Sequence, residues 1–205
     1  MFVCLFFSFV LIFGDQALKF WIKTSFYLKQ SESVFGGKFF QLHFVENEGF
    51  AFGLAFFGET GKLLLTILRF ILSGFVLFYI INLIKKRQWW TTVPFILIFS
   101  GATANLIDCV FYGVIFSESF PVPGEGVAVF LGDEGGYAPL FFGRVVDMFY
   151  FDIFDVEFPN WVPFLGGKNW KFFQYVFNLA DSYITIGAFL LFFINPFKSV
   201  SNKKQ

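Results

Sequence analysis

Four stretches of this chain approach the ~20 apolar residues that a helix needs to cross the hydrocarbon of a bilayer, and they constrain the fold more than any other feature. They cover about residues 2–22, 63–84, 92–111 and 172–194. With 57% hydrophobic and only 15% charged residues, the chain has too little polar surface to shield such stretches from water, so they read as membrane spans. The expected fold class is a membrane all-α core: a four-transmembrane-helix bundle with a small extracytoplasmic β-rich cradle and loop. All of residues 1–205 are expected to form one integral membrane domain.

The flanks of the four runs orient them. Asp15 and Lys19 stand four residues apart, a spacing that puts opposite charges on one helical face and lets the first helix continue through them. No basic segment precedes that run and no small-x-small site follows it, so it is expected to remain as a span and not to be removed as a secretory leader. Lys85, Lys86 and Arg87 follow the second run, and Lys198, Lys203 and Lys204 follow the fourth. In a four-span arrangement both clusters share one side, which the positive-inside rule assigns to the cytoplasm. Both termini are then cytoplasmic and both long loops face outward, with Lys23, Lys29 and Lys38 of the first outer loop pulling weakly the other way.

The outer segments carry their own signals. FFQLHFV, residues Phe39 to Val45, partly alternates apolar and polar side chains and predicts short strands on the membrane surface. Ser117 to Trp170 is richer in Gly, Pro and acidic residues, and EGVAVFLGDEGGYAP within it predicts a hairpin or flap. A formal net charge of zero offers no basic excess for nucleic acid, so no such partner is expected. Cys4 and Cys109 have no metal-ligand spacing and read as packing thiols, and neither a metal nor a cofactor is expected.

Polar groups near membrane depth are the informative residues, because each is costly there unless paired, hydrated or used. Asp15, Arg69, Asn105, Asp108, Asn178 and Asp181 fall inside or at the ends of the spans, and Asp147 follows the turn Phe141-Phe142-Gly143. All but Arg69 lie toward the outer face. Neighbouring carboxylates in a low-dielectric site tend to share one proton, which makes one an acid and the other a base. The same residues are also compatible with a simple role in locking helices together. His43 reads as a surface or packing residue, Arg69 as a cation that snorkels to the outer interface, and Ser, Cys and His show no triad spacing.

Particular strings decide between these readings. NEGFAFG (Asn47 to Gly53), GRVVDMFYF (Gly143 to Phe151) and FNLADSYI (Phe177 to Ile184), with DQALK (Asp15 to Lys19) and GATANLID (Gly101 to Asp108), resemble in order the signature blocks of lipoprotein signal peptidases. The resemblance implies an intramembrane aspartyl endopeptidase whose catalytic pair is Asp147 and Asp181. It implies that Asn47 and Asn178 hold substrate backbone or shape the site, and that Asp15, Lys19, Gly49, Ala51, Phe52, Asn105, Asp108 and Ala180 support it. The implied substrates are prolipoproteins whose lipobox cysteine carries diacylglycerol, cut on the amino side of that cysteine. Membrane lipids are the other implied partners, with the enzyme a monomer in the bacterial inner membrane and its site toward the outer face. Two positions depart from the family pattern: Ala104 stands where Gly is usual, and Cys109 where an Arg commonly follows the Asp. Arg144 is a candidate to supply the missing cation. An inactive relative, or a non-enzymatic transporter or scaffold, is the alternative reading.

Overall fold

The computed structural model describes residues 2–48, 58–123, 126–133, 135–153, 155–157, 159–164, 166–167, 169–171 and 175–194. Gly49, Ala51 and Phe52 of the NEGFAFG string, and Lys198, Lys203 and Lys204, lie outside the described residues. Helix α1 covers Phe2–Ser25, α2 Gly58–Lys85 and α3 Trp89–Ile107. A π-helical turn, Asp108–Tyr112, and a short α4, Gly113–Ile115, prolong α3. Among the described residues three helices, with α3 counted through Ile115, are long and apolar enough to cross a membrane, and α5, Leu179–Ile194, is a shorter apolar helix. Strands β1 (Ser31–Ser33), β2 (Phe40–Asn47) and β3 (Val145–Phe151) form one antiparallel sheet in the order β1-β2-β3, and β4 (Asp155–Glu157) pairs with β5 (Asn169–Lys171).

α1 is polar inside and apolar outside. Its buried residues are Ser8, Asp15, Lys19, Ile22 and Lys23, while Phe2, Phe6, Phe9, Phe13 and Phe20 are exposed. That pattern is the reverse of a water-soluble helix and suits one whose outer face meets lipid. Lys23, expected in the first outer loop, is instead a fully buried residue of α1. The helix outlasts its apolar run because Lys23 finds an acidic partner in Glu46 of β2.

The fourth apolar run is not helical from residue 172. Residues 172–174 lie outside the described set, and α5 begins only at Leu179. Just before it, Phe177 bridges Phe149 of β3 through backbone hydrogen bonds of 2.7 and 3.1 Å, which holds the chain extended. Asn178 then starts the helix: its Oδ1 accepts the Asp181 N–H at 2.9 Å, and the Asp181 Oδ2 accepts the Asn178 N–H at 3.3 Å. This reciprocal pairing is a capping box, and it fixes Asp181 in the first helical turn.

α3 packs against α5, α2 and α1. A Cβ on Gly101 would collide with the Ala180 carbonyl and the Ile184 side chain, and one on Gly187 would come within 2.7 Å of the Pro94 carbonyl. Small residues at both points let the α3 and α5 backbones approach closely. Gly101→Val is expected to force α3 and α5 apart and destabilise the protein by about 1–3 kcal/mol. Gly14→Ala, where an added Cβ meets nothing within 4 Å, serves as control, with thermal midpoints in detergent as the measurement.

The π turn gives the segment before β3 its footing. The Phe141 N–H donates to the Val110 carbonyl at 3.0 Å and the Gly143 N–H to the Cys109 carbonyl at 2.9 Å. Gly143 is required at this contact, because a Cβ there would strike the Asp108 carbonyl oxygen. Under the sheet, Ile22, Phe26, Phe44, Tyr112, Phe116, Val146 and Met148 form a buried apolar cluster that joins α1 and the π turn to β2 and β3.

Candidate active site

Asp147 lies mid-strand in β3, opposite Val45 of β2, and is buried. Its carboxylate accepts two amide hydrogen bonds, from Asn47 Nδ2 at 3.1 Å and from Asn178 Nδ2 at 2.7 Å. Burial, reinforced by the charge of nearby Asp181, pushes the Asp147 carboxyl up to about 7, against the pull of the two amides and of Lys19. A carboxyl so displaced holds a proton near neutral pH that an ordinary aspartate would have lost. Asp181, half-buried in the first turn of α5, accepts from Asn105 Nδ2 at 2.8 Å. Asn178 thus touches both acids, donating to Asp147 through its side chain and pairing with Asp181 through the cap.

Behind the acids sits a buried ionic group. Lys19 Nζ lies 2.9 Å from Asp15 and 2.7 Å from Asp108, all three side chains fully buried, and also donates to Asn105 Oδ1 at 2.7 Å. Asn105 therefore connects Lys19 to Asp181. Asp15 Oδ1 accepts the Ala180 N–H at 2.8 Å, satisfying a donor at the start of α5, where the helix dipole also favours negative charge. Asp108 accepts from Gln16 Nε2 at 2.8 Å and from the Val146 N–H at 3.3 Å, next to Asp147 in the strand. Tyr112 OH completes the chain with a 3.2 Å bond to Gln16 Oε1.

Of the expected site residues, Asp15, Lys19, Asn47, Asn105, Asp108, Asp147, Asn178, Ala180 and Asp181 are thus joined through direct hydrogen bonds or ion pairs. Gly49 lies outside the described residues. Arg144 is placed elsewhere: it binds Glu46, Glu48 and Glu118 and stacks 4.8 Å from the Tyr137 ring. At Cys109 the cation is Arg69 of α2, whose Nη1 donates to the Cys109 sulfur at 3.1 Å. His43 pairs with Ser31 of β1 and faces Tyr150, and burial holds its imidazole below the usual range.

Gln16, Tyr112, Lys23 and Glu46 were not expected to take part. The N-x-x-D spacing of Asn178 and Asp181, by contrast, is a capping-box pattern visible in the sequence. Beside Asp181, a groove of about 450 Å³ opens between Tyr175, Phe177, Ser182, Thr185 and Ile186. Its walls are mainly apolar, and Asp181 lies in its lining.

An apolar helical frame that places two carboxylates on the two sides of Asn178, one shifted to protonate near neutrality and the other beside an apolar groove, has the groups that acid–base cleavage by an aspartic peptidase uses. Comparison with known proteins agrees. The family profile described as Signal peptidase (SPase) II matches residues 7–197, so the chain belongs to the signal peptidase II family. A lipoprotein signal peptidase of Porphyromonas gingivalis is 44% identical over 192 residues, covering 91% of this chain and 80% of the relative. One from Amoebophilus asiaticus is 34% identical over 184 residues, covering 86% and 70%. A solved bacterial membrane enzyme shares the fold with a TM-score of 0.57 and 23% identity, covering all of this chain and 93% of that one.

Proposed function

We propose that this chain removes signal peptides from prolipoproteins whose lipobox cysteine already carries diacylglycerol, with Asp147 and Asp181 as the catalytic pair. The observation that carries the reading is the asymmetry of the two acids: Asp147 is buried and raised to about 7, while Asp181 borders an apolar groove. Protonated Asp147 donates a hydrogen bond to the scissile carbonyl oxygen, and ionised Asp181 takes a proton from water as its oxygen attacks the carbonyl carbon. The tetrahedral intermediate then collapses. The C–N bond on the amino side of the lipidated cysteine breaks, and the proton held by Asp181 passes to the leaving amine. Asn47, Asn105 and Asn178 keep the carboxylates aimed throughout.

In this reading α5 joins α1, α2 and α3 as a fourth span, and the sheet forms an outer cradle over the site. Both termini lie in the cytoplasm, on the side of Lys85, Lys86 and Arg87, and a single copy suffices, since both acids come from one chain. The groove beside Asp181 receives apolar substrate or acyl chain from the surrounding lipid. The test is a purified, reconstituted enzyme given one precursor peptide in lipidated and unlipidated forms. Cleavage of the lipidated form alone, immediately before the modified cysteine, is the expected result. Equal cleavage of both, or of neither, would reject the assignment.

A further inference from the structure

The β2–β3 pairing separates two sets of side chains by strand alternation. Val45 pairs with Asp147 and Asn47 with Val145, so these four residues share one face of the sheet. Glu46 pairs with Val146 on the opposite face. Glu48 and Arg144, just beyond the ends of their strands, continue that reverse side.

There Arg144 acts as a clamp. Its Nε donates to Glu48 at 2.7 Å and its Nη1 to Glu46 at 3.0 Å, while Glu118 binds the same Nη1. Its backbone N–H donates to Tyr137 OH at 2.7 Å. Glu46 is anchored in turn by Lys23 of α1 and by Ser119 at 2.8 Å, and Glu48 by Lys62 of α2. Burial alone would raise the Glu46 carboxyl, but Lys23, Arg144 and Ser119 hold it below the usual carboxylate range, so the clamp stays charged near neutrality. Glu46 and Glu48 flank Asn47, the last residue of β2 and a donor to Asp147. The strand carries a register shift between Leu42 and Val45, and Asn47, paired with Val145, is the last residue of the β2–β3 ladder.

We propose that Arg144 is a positioning residue, which grips Glu46 and Glu48 from the reverse face of the sheet and thereby holds Asn47 against the Asp147 carboxylate. The proposal rests on the reading of Asp147 as one of the catalytic acids. Asn47 stabilises the ionised form of Asp147, so a loosened Asn47 leaves Asp147 protonated to higher pH. The charged groups acting on Asp147, Asp181 from α5 and Lys19 from α1, remain in place when Arg144 is changed.

The experiment compares Arg144→Gln, Asn47→Ala and the double variant by kcat, KM and pH profile on a lipidated precursor. Arg144→Gln is expected to lower kcat about 10- to 100-fold with little change in KM, as a misplaced catalytic group does. The alkaline limb of its profile is expected to move upward, as in Asn47→Ala, and the double variant to be no worse than Asn47→Ala alone. Additive losses, or an unshifted limb, would show a merely structural role and overturn the proposal. Should Arg144→Gln fail to fold, Glu48→Gln removes one arm of the clamp and is expected to shift the limb the same way; an unshifted limb there counts equally against it. Normal processing by Asp147→Asn would fault the acid pair itself. An inactive Asp147→Asn beside an Arg144→Gln that keeps the parent rate and limb would fault only the clamp.

Discussion

Asp147→Asn and Asp181→Asn are each expected to reduce turnover of a lipidated precursor by about 10²- to 10⁴-fold or more while the protein stays folded and inserted. Asparagine has nearly the shape of aspartate and keeps one of the two acceptor oxygens that each acid uses, but it can neither release nor take up the proton. Under the proposed mechanism, Asp147→Asn loses the proton that polarises the scissile carbonyl, and Asp181→Asn loses the base that accepts a proton from water. The parent enzyme also carries a pH signature. As pH rises through about 7 the Asp147 carboxyl gives up its proton, and kcat/KM is expected to fall. Steady-state rates of both variants, with circular dichroism to confirm folding, check the prediction. Undiminished processing by either variant would eliminate the pair.

Lys19→Met is expected to be the most destabilising single change at the site. Lys19 is the cation shared by Asp15 and Asp108, and all three side chains are sealed from solvent. Removing one partner of a buried ionic group costs about 3–5 kcal/mol, because the remaining charge keeps its desolvation penalty without its compensation. Activity is expected to fall as well, since Asn105 would lose the donor that orients it toward Asp181. A triple variant, Asp15→Asn, Lys19→Met and Asp108→Asn, removes the unpaired charges and is expected to recover part of the stability but not the activity. Thermal unfolding in detergent and the precursor assay separate the two effects. A Lys19→Met protein as stable as the parent would show that the acids do not depend on this cation.

Much of this architecture was legible in the residues, for reasons that differ from place to place. The apolar runs announced α1, α2 and α3, because membrane insertion is dominated by length and hydropathy. The polar residues within them pointed to where the buried network would form, because Asp15, Lys19, Asn105 and Asp108 are costly in lipid unless paired. Hydropathy could not locate the start of α5. Phe177 is as apolar as the helix that follows, and only its pairing with Phe149 and the cap at Asn178 end the extended segment there. Lys23 appeared to be a loop residue because its partner, Glu46, lies in a strand 23 positions away. Arg144 was a candidate for the cation missing at Cys109 because it directly precedes the VVD string. Its real partners depend on a strand register that includes an irregularity between Leu42 and Val45, and alternation of residue types does not reveal it. Arg69, which does meet Cys109, comes from a different helix.

The π-helical turn at Asp108–Tyr112 has a cost that the site turns to use. A span wound regularly throughout would commit the Cys109 and Val110 carbonyls to its own next turn, and the segment leading to Asp147 would lose its two backbone tethers. Tidy winding and the anchoring of β3 therefore oppose each other at this point, and the chain keeps the looser geometry where the strand that bears Asp147 must hang.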